Sequence, residues 1–442
     1  MVLFNQKFRL ALGCAGLLVV SLASSYLYTH PKTKQLTPQE QGLTQQKNSA
    51  SLQSYVSLTS NQAAHPLISR WEKSVITEQK IDKPNAHSSQ QDLLAASTSY
   101  PVVDEFKKYK YSVNGSQVFT PVKLPANKVN FNQTDLLTVL VNTRKYFQDY
   151  ASQDPDILRT GVLATQGVTV EDVLKTLDFM VTVLNEDITN RRTTRLQDPK
   201  FINANFRVIK WTAYNPKNKQ QKQLRITKYA VFTHTGSRKK TSTYNTAIYS
   251  LKDNSNNDKF YTKYTKQDVL SGIYEPGGRE FGKVKSLAYL TRTGLEEALM
   301  QGTILINFTN GYKAFFNVDR NNGMSYIRGL KPTAQKRYWY FREVDAIKGY
   351  GYKIDAKISI KPGVTFAGDV LNVGLGKVII IEQTKGGRKH LQMGVMADTG
   401  GAFLPNLYQL DFLAGIFQNQ KQFSQYISQL PDYATAYFLV KK

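Results

Sequence analysis

"GTILINFTNGYKAFFNV", residues 302–318, reads as two β-strands joined by a tight turn. Its arms, "TILINF" and "KAFFNV", are rich in β-branched and aromatic residues, and Thr309-Asn310-Gly311 stands between them. Asn and Gly accept the positive φ that a short hairpin connection needs, so Asn-Gly between two such arms predicts a hairpin. The same texture fills the chain from about residue 200 onward. "QLRITKYAVFTH" (223–234), "TSTYNTAIYSL" (241–251) and "GKVIIIEQ" (376–383) are further strand-like runs, divided by Gly, Asn, Asp and Lys turns. One helical patch, "TGLEEALMQ" (293–301), interrupts them. Many short strands without alternating helices favour a barrel or barrels over a parallel α/β sheet. No repeat of fixed period is present.

Two helices precede this β region. "DLLTVLVNTRKYFQDYA" (135–151) sets Leu136, Leu137, Leu140, Val141 and Phe147 at helical spacing, with Thr134 as the predicted N-cap. "TVEDVLKTLDFMVTVLNEDI" (169–188) opens on Thr169-x-x-Asp172, a capping box with Asp in place of Glu or Gln. Its apolar residues, Val173, Leu177, Met180 and Leu184 among them, predict a core-facing stripe. The fold class is therefore mainly β with N-terminal helices.

The N-terminal end carries an address. Lys7 and Arg9 precede the uncharged, largely apolar "LALGCAGLLVVSLASSYLY" (10–28). A basic head before such a run is an export signal or a membrane anchor, and "SLASS" supplies small residues for cleavage. The run is close to the roughly 20 residues that span a bilayer, so residues 1–28 read as either a cleaved signal peptide or a retained anchor. Cys14 within it reads as a buried apolar residue, with lipidation as the alternative. Residues 29–100 are rich in Gln, Ser, Thr, Asn and Lys. So polar a segment cannot bury enough surface to fold alone, and it reads as a disordered tether.

The 442-residue chain has 58 Lys plus Arg against 33 Asp plus Glu, a formal charge of +25. That balance suits a polyanionic partner: nucleic acid, a membrane surface or an acidic cell-wall polymer. The export address disfavours nucleic acid, which charge alone would support. A single cysteine excludes a disulfide framework and a cysteine zinc site, and the five histidines lack metal-ligand spacing. No metal or cofactor is expected. There is no G-x-S-x-G elbow, Walker loop or H-E-x-x-H. "GLGK" (374–377) reads as a β-turn, and "GSRKK" (236–240) as a solvated hairpin loop or a contact for acidic polymer.

Carboxylates remain as candidate chemistry. Asp369, Asp398 and Asp411 each adjoin apolar, strand-like residues, and "TGGAFLPNLYQL" between the last two contains Gly400-Gly401 and Leu404-Pro405-Asn406. A loop of that composition can fold back and bring both acids together. Neighbouring carboxylates in an apolar cleft raise one another's pKa, which keeps one protonated as a general acid. Three aspartates at strand ends also serve as ordinary turn formers, and spacing alone does not separate the two.

The order of these pieces resembles the membrane-bound lytic transglycosylase A family with its C-terminal three-aspartate domain. "ISIKPGVTFAGDVLNVGLGKVIII" (358–381) is similar to the family stretch of Pro-Gly, Ala-x-Asp and Leu-Gly, here Pro362-Gly363, Ala367-x-Asp369 and Leu375-Gly376. "ADTGGAF" (397–403) matches its Asp-Thr-Gly-Gly-Ala block, and "LDF" (410–412) the Asp-bearing strand after it. "MQGTILINFTNG" (300–311) resembles the Gln-Gly-Ser-Gly segment and its hairpin, and "TKYAVFTHTGSRKKTSTYNTAIY" (227–249) has the length of an upstream family segment. Lys228 and Ala230 replace a glycine and a tyrosine of the pattern, Val231-Phe232 replaces Glu-Pro, and Ile304 replaces the second glycine of Gln-Gly-Ser-Gly.

This resemblance implies a double-psi β-barrel, residues 101–234 and 326–442, interrupted by an inserted β domain at 235–325, with glycan bound between them. It implies cleavage of the β-1,4 bond from N-acetylmuramic acid to N-acetylglucosamine, giving a 1,6-anhydro product, in the cell envelope or periplasm. Asp411 would be the catalytic acid and then base, Asp398 its supporting acid and Asp369 a structural acid. Thr227, Tyr229, Gln301, Gly302, Thr303, Thr399, Gly400 and Gly401 would contact sugar. Peptidoglycan strands are the implied partner, with the membrane as a second if residues 1–28 are kept. The departures at Lys228, Ala230 and Ile304 leave open an alternative, a peptidoglycan-binding protein of the same fold without activity.

Overall fold

A computed structural model describes residues 98–252, 259–327, 329–385, 387–400 and 405–442. The leader, most of the polar tether, Cys14 and Gly401 lie outside the described residues. The first long helix, α1 (Gln133–Tyr150), starts at Asn132, whose side chain accepts the Asp135 N–H at 3.0 Å. The cap is thus Asn132, and Thr134 sits inside the first turn. Both are good capping residues, and register decides: only Asn132 has extended backbone and lies three residues before a free N–H. Helix α2 (Val170–Thr189) opens on the predicted capping box, Asp172 N–H to Thr169 Oγ1 at 3.1 Å and Thr169 N–H to Asp172 Oδ2 at 2.9 Å. Its stripe of Val173, Leu177, Met180 and Leu184 is buried. Its C-terminal end is closed by Arg192 N–H to Asp187 O and Arg191 N–H to Ile188 O, both 3.0 Å. These are the two bonds of a Schellman motif, whose left-handed residue is usually glycine. Here Arg191 takes it, at φ +50°, a choice that costs about 1 kcal/mol.

The strands are β1 (Ser99–Val103), β2 (Tyr109–Asn114), β3 (Phe119–Val122), β4 (Val129–Asn130), β5 (Phe206–Trp211), β6 (Leu224–Gly236), β7 (Thr246–Leu251), β8 (Val284–Leu290), β9 (Thr303–Phe308), β10 (Lys313–Asn321), β11 (Trp339–Val344), β12 (Thr365–Ala367), β13 (Val378–Lys385), β14 (Arg388–Asp398), β15 (Gln409–Phe417) and β16 (Tyr433–Lys441). Short helices include α3 (Arg292–Ala298) and α4 (Gln420–Ile427). The predicted hairpin is present: β9 and β10 pair antiparallel with Lys313 opposite Asn307, and Gly311 turns the chain at φ +85°. In "GLGK", Gly376 adopts φ +75° against α1, where a Cβ would come within 2.9 Å of the Phe147 ring.

One run of paired strands follows the order β11-β10-β9-β6-β15-β12-β14-β13-β16-β5-β3. An additional pairing, Tyr433 with Arg225 and Ala434 with Leu224, joins β16 back to β6. Strand β6 is shared between two neighbourhoods. Its first part pairs with β15, from Arg225 opposite Gln409 to Phe232 opposite Phe417, and its last four residues pair with β9. The buried apolar residues form two clusters accordingly. One gathers α1 and α2 with β5, β12–β16 and the start of β6, including Ile379, Ile380, Phe366 and Trp211. The second runs from Ala247 to Phe341 and contains Ile304, Ile306, Phe316, Tyr338 and Tyr340. Each such side chain, once buried, contributes about 1.5–3 kcal/mol. Among the described residues no helix is long and apolar enough to cross a membrane.

Candidate functional site

Strand β12 is only three residues long, and it lies between β14 and β15. Ala367 is in register with Asp398 on one side and with Asp411 on the other. Beyond Asp411 the next residue in register is Thr227 on β6. Residues in register on adjacent strands project from the same face. Asp398 and Asp411 therefore share a face, with Cα atoms about 10 Å apart across two strand spacings. The β12–β14 pairing skips Ala397. Such a bulge bends the strand locally and re-aims the side chain that follows it, here Asp398.

The two acids are half-buried and differently furnished. Asp398 Oδ2 accepts the Tyr229 hydroxyl at 2.6 Å, and Oδ1 accepts its neighbour's Thr399 N–H at 2.8 Å. Burial pushes Asp398 up to about 6, with these bonds and the Lys357 charge working against it. Asp411 is pushed further, to about 7, by burial first and then by the charge of Asp398. The Thr227 hydroxyl, the Phe412 N–H and Lys228 oppose that shift. Thr227 has one proton to give, shared between Asp411 and the Leu410 carbonyl 3.1 Å away. Asp411 Oδ1 is buried with no hydrogen-bond partner among the described residues. Burial and Asp398 hold the Tyr229 hydroxyl well above its ordinary pKa, so it remains a donor. The pair titrates as a unit. Both shifts are upward, so near neutral pH the pair retains a proton, and Asp411 Oδ1 has no protein group among the described residues to share it with.

Asp369 stands in a different setting. It is fully buried, its Oδ1 accepting Asn372 N–H at 3.0 Å and its Oδ2 accepting Asn372 Nδ2 at 2.7 Å and Asn406 N–H at 2.8 Å. Asn372 in turn grips both backbone groups of Val103, at 2.9 and 2.8 Å. Burial pushes Asp369 up to about 6 against these bonds, and the cluster ties β1 to the approach to β15.

The other candidates divide. Thr399 Oγ1 donates to Gly368 O at 2.8 Å, which fixes the end of β14 to the end of β12, and Gly400 follows it. Gln301 accepts Phe232 N–H at 3.0 Å while its Nε2 lies 3.2 Å from both His234 Nε2 and Glu297 O. Its amide braces β6 against α3. Thr303 is buried, and its hydroxyl accepts Asn317 Nδ2 at 2.7 Å. Gly302 is exposed, and a Cβ there would meet nothing within 4 Å. Of the unusual residues, Lys228 pairs with Asp432 at 2.7 Å, Ala230 lies opposite Gly415 beside a register shift, and Ile304 is wholly buried in the second cluster.

One residue near the acids has no local sequence signal. Lys357, half-buried, donates from Nζ to Asn317 Oδ1 at 2.7 Å. Burial lowers its pKa, while the charges of Asp398 and Asp319 raise it. Asn317 thus joins Thr303 on β9 to a cation that acts on Asp398. In the sequence Lys357 is one more lysine in a lysine-rich segment, and only the tertiary pairing distinguishes it.

No protein-family model matches the chain, and no curated protein sequence matches it. Solved structures do resemble it. A membrane-bound lytic murein transglycosylase from Agrobacterium tumefaciens is 15% identical, with 73% of this chain and 98% of that chain covered and a TM-score of 0.49. MltA of E. coli with bound chitohexaose is 15% identical over 76% of this chain and 97% of that one, TM-score 0.49. MltA from Neisseria gonorrhoeae is 13% identical over 73% and 92%, TM-score 0.49.

Proposed function

We propose that the protein is a lytic transglycosylase of the cell envelope that cleaves peptidoglycan. The observation that carries this reading is the acid pair: two half-buried carboxyls in register across β12, one raised to about 6 and the other to about 7. The colinear sequence resemblance over about residues 200–442 supports it. In this reading Asp411 protonates the glycosidic oxygen as the C1–O bond of the muramoyl residue breaks. The Asp411 carboxylate then takes the proton of that residue's C6 hydroxyl, whose oxygen closes on C1. The proton balance returns to its start and no water is consumed, so a single acid suffices where hydrolases use two. Asp398, held by Tyr229 and Thr399, keeps the Asp411 proton in place. Thr227, Tyr229, Thr399 and Gly400 border the reacting sugar in this reading, and Gly302, Thr303 and Gln301 lie further out. The circuit β6-β15-β12-β14-β13-β16 supports a six-stranded double-psi barrel, with the second cluster as an inserted domain.

Intact sacculi incubated with the purified chain are expected to release 1,6-anhydro-muropeptides, seen by mass, and Asp411→Asn is expected to lower that rate by about a hundredfold or more. Product release unchanged in the variant would refute the assignment. Lys228, Ile304 and the internally engaged Gln301 favour a second reading, a binder without activity. It is distinguished by sacculus retention with no anhydro product from the unmutated chain.

A further inference from the structure

A cleft of about 470 Å³ opens where the start of α1 meets the end of α2. Lys128, Arg191 and Arg192 line it with Thr134, Thr193 and Gln197, and no carboxylate is among its lining residues. Lys128 lies just before β4, whose Val129 is in register with Leu391 on β14. Asp398 is seven residues further along that strand, about 23 Å away. The cleft is therefore separate from the acid pair.

Arg192 is tied to Asp187, Nε to Oδ1 at 2.7 Å. Lys128 and Arg191 have no ion-pair partner among the described residues. The dipole of α2 favours cations at its C-terminal end, which accounts for the charge of Arg191 and Arg192. It accounts neither for Lys128, which arrives from the β4 side, nor for an arginine in the left-handed position where glycine closes the motif without strain. That backbone strain is retained at a residue that walls the cleft. Opposite it, Thr134 belongs to the first turn of an 18-residue helix, whose leading N–H groups have no partner within the helix. Gln197 Oε1, in the same wall, is buried without a partner.

We propose that this cleft binds a phosphate group. Two cations without an ion-pair partner among the described residues, a third held by Asp187, two hydroxyls and the N-terminal end of α1 converge on one concave surface, a donor set matched to a tetrahedral, charged oxyanion. A lone carboxylate would be satisfied by one guanidinium. The group is either the headgroup of an anionic lipid or a unit of a soluble phosphodiester polymer. The proposal is independent of the acid pair, so Asp411→Asn is expected to bind as the parent does.

The test uses the full chain at low salt, because exposed cations are screened by added ions. Titration with inorganic phosphate and with glycerol phosphate, followed by calorimetry, is expected to saturate. Lys128→Gln with Arg191→Gly is expected to weaken binding at least tenfold. Arg191→Gly alone relieves the left-handed strain, so it is expected to melt higher than the parent while binding more weakly. That combination separates loss of the site from loss of fold. Retention on phosphatidylglycerol vesicles, lost in the double variant, identifies the lipid source. Binding of a glycerol-phosphate polymer without vesicle retention identifies the soluble one. No saturation by any of these probes, or equal affinity in the double variant, overturns the proposal.

Discussion

Asp411 holds its proton near neutrality because two causes act together, withdrawal from water and the adjacent charge of Asp398. A carboxyl whose proton affinity is higher folded than unfolded stabilises the fold only while protonated in both states. That contribution is complete below about pH 4, where the unfolded acid titrates, and is lost as pH rises to about 7. Asp411→Asn removes the loss. Its melting temperature is expected to gain on the parent as pH goes from 4.5 to 8, and a gain that is constant across that range would contradict the assignment. Lys357 acts in the opposite direction, lowering the proton affinity of Asp398. In Lys357→Met the first proton of the pair is expected to leave at higher pH, visible as an upward displacement of the carboxyl carbon titration by NMR. A merely structural lysine would leave that titration in place. The acids themselves were legible in the sequence as a block, Asp398-Thr399-Gly400 and then Leu410-Asp411-Phe412. The surroundings were not. Gln301 and Thr303 looked free to meet sugar, but their partners His234 and Asn317 come from other strands. No local pattern announces such a commitment.

At the scale of elements, what the sequence marks is the beginning of a helix and the tightness of a turn. Thr169 and Asp172 identify the start of α2, and Asn310-Gly311 the β9–β10 hairpin, because both depend on residues a few positions apart. Thr169→Ala is expected to cost about 1 kcal/mol, measured by urea unfolding with the slope unchanged. Asn132 was missed as the cap of α1 because "NQT" offers two acceptors, and only the backbone at Asn132 is extended. Strands β6, β10 and β13 are long enough to show their texture. Strand β12 is three residues and β4 two, too few for any periodicity, yet β12 is the one that sets the two acids in register. The central pairing of the candidate site was thus the least visible part of the chain.

For the whole molecule, the two apolar clusters predict unequal responses to damage. Phe316 is fully buried in the second, with its ring 6.2 Å from that of Phe308. Phe316→Ala is expected to cost about 3–5 kcal/mol. Hydrogen exchange should then accelerate in β9 and β10 well before β13, β14 and β16; uniform acceleration would mean one cooperative unit. What connects the clusters is β6, which changes partner between Phe232 and Thr233 while remaining a single strand. Hinges form at loops and element ends, and here the outward passage has neither. The crossing falls where one ladder ends at Phe232 and the next begins at Thr233. A single unbroken strand is thus the axle on which both clusters are mounted, and its backbone carries any load that passes from one to the other.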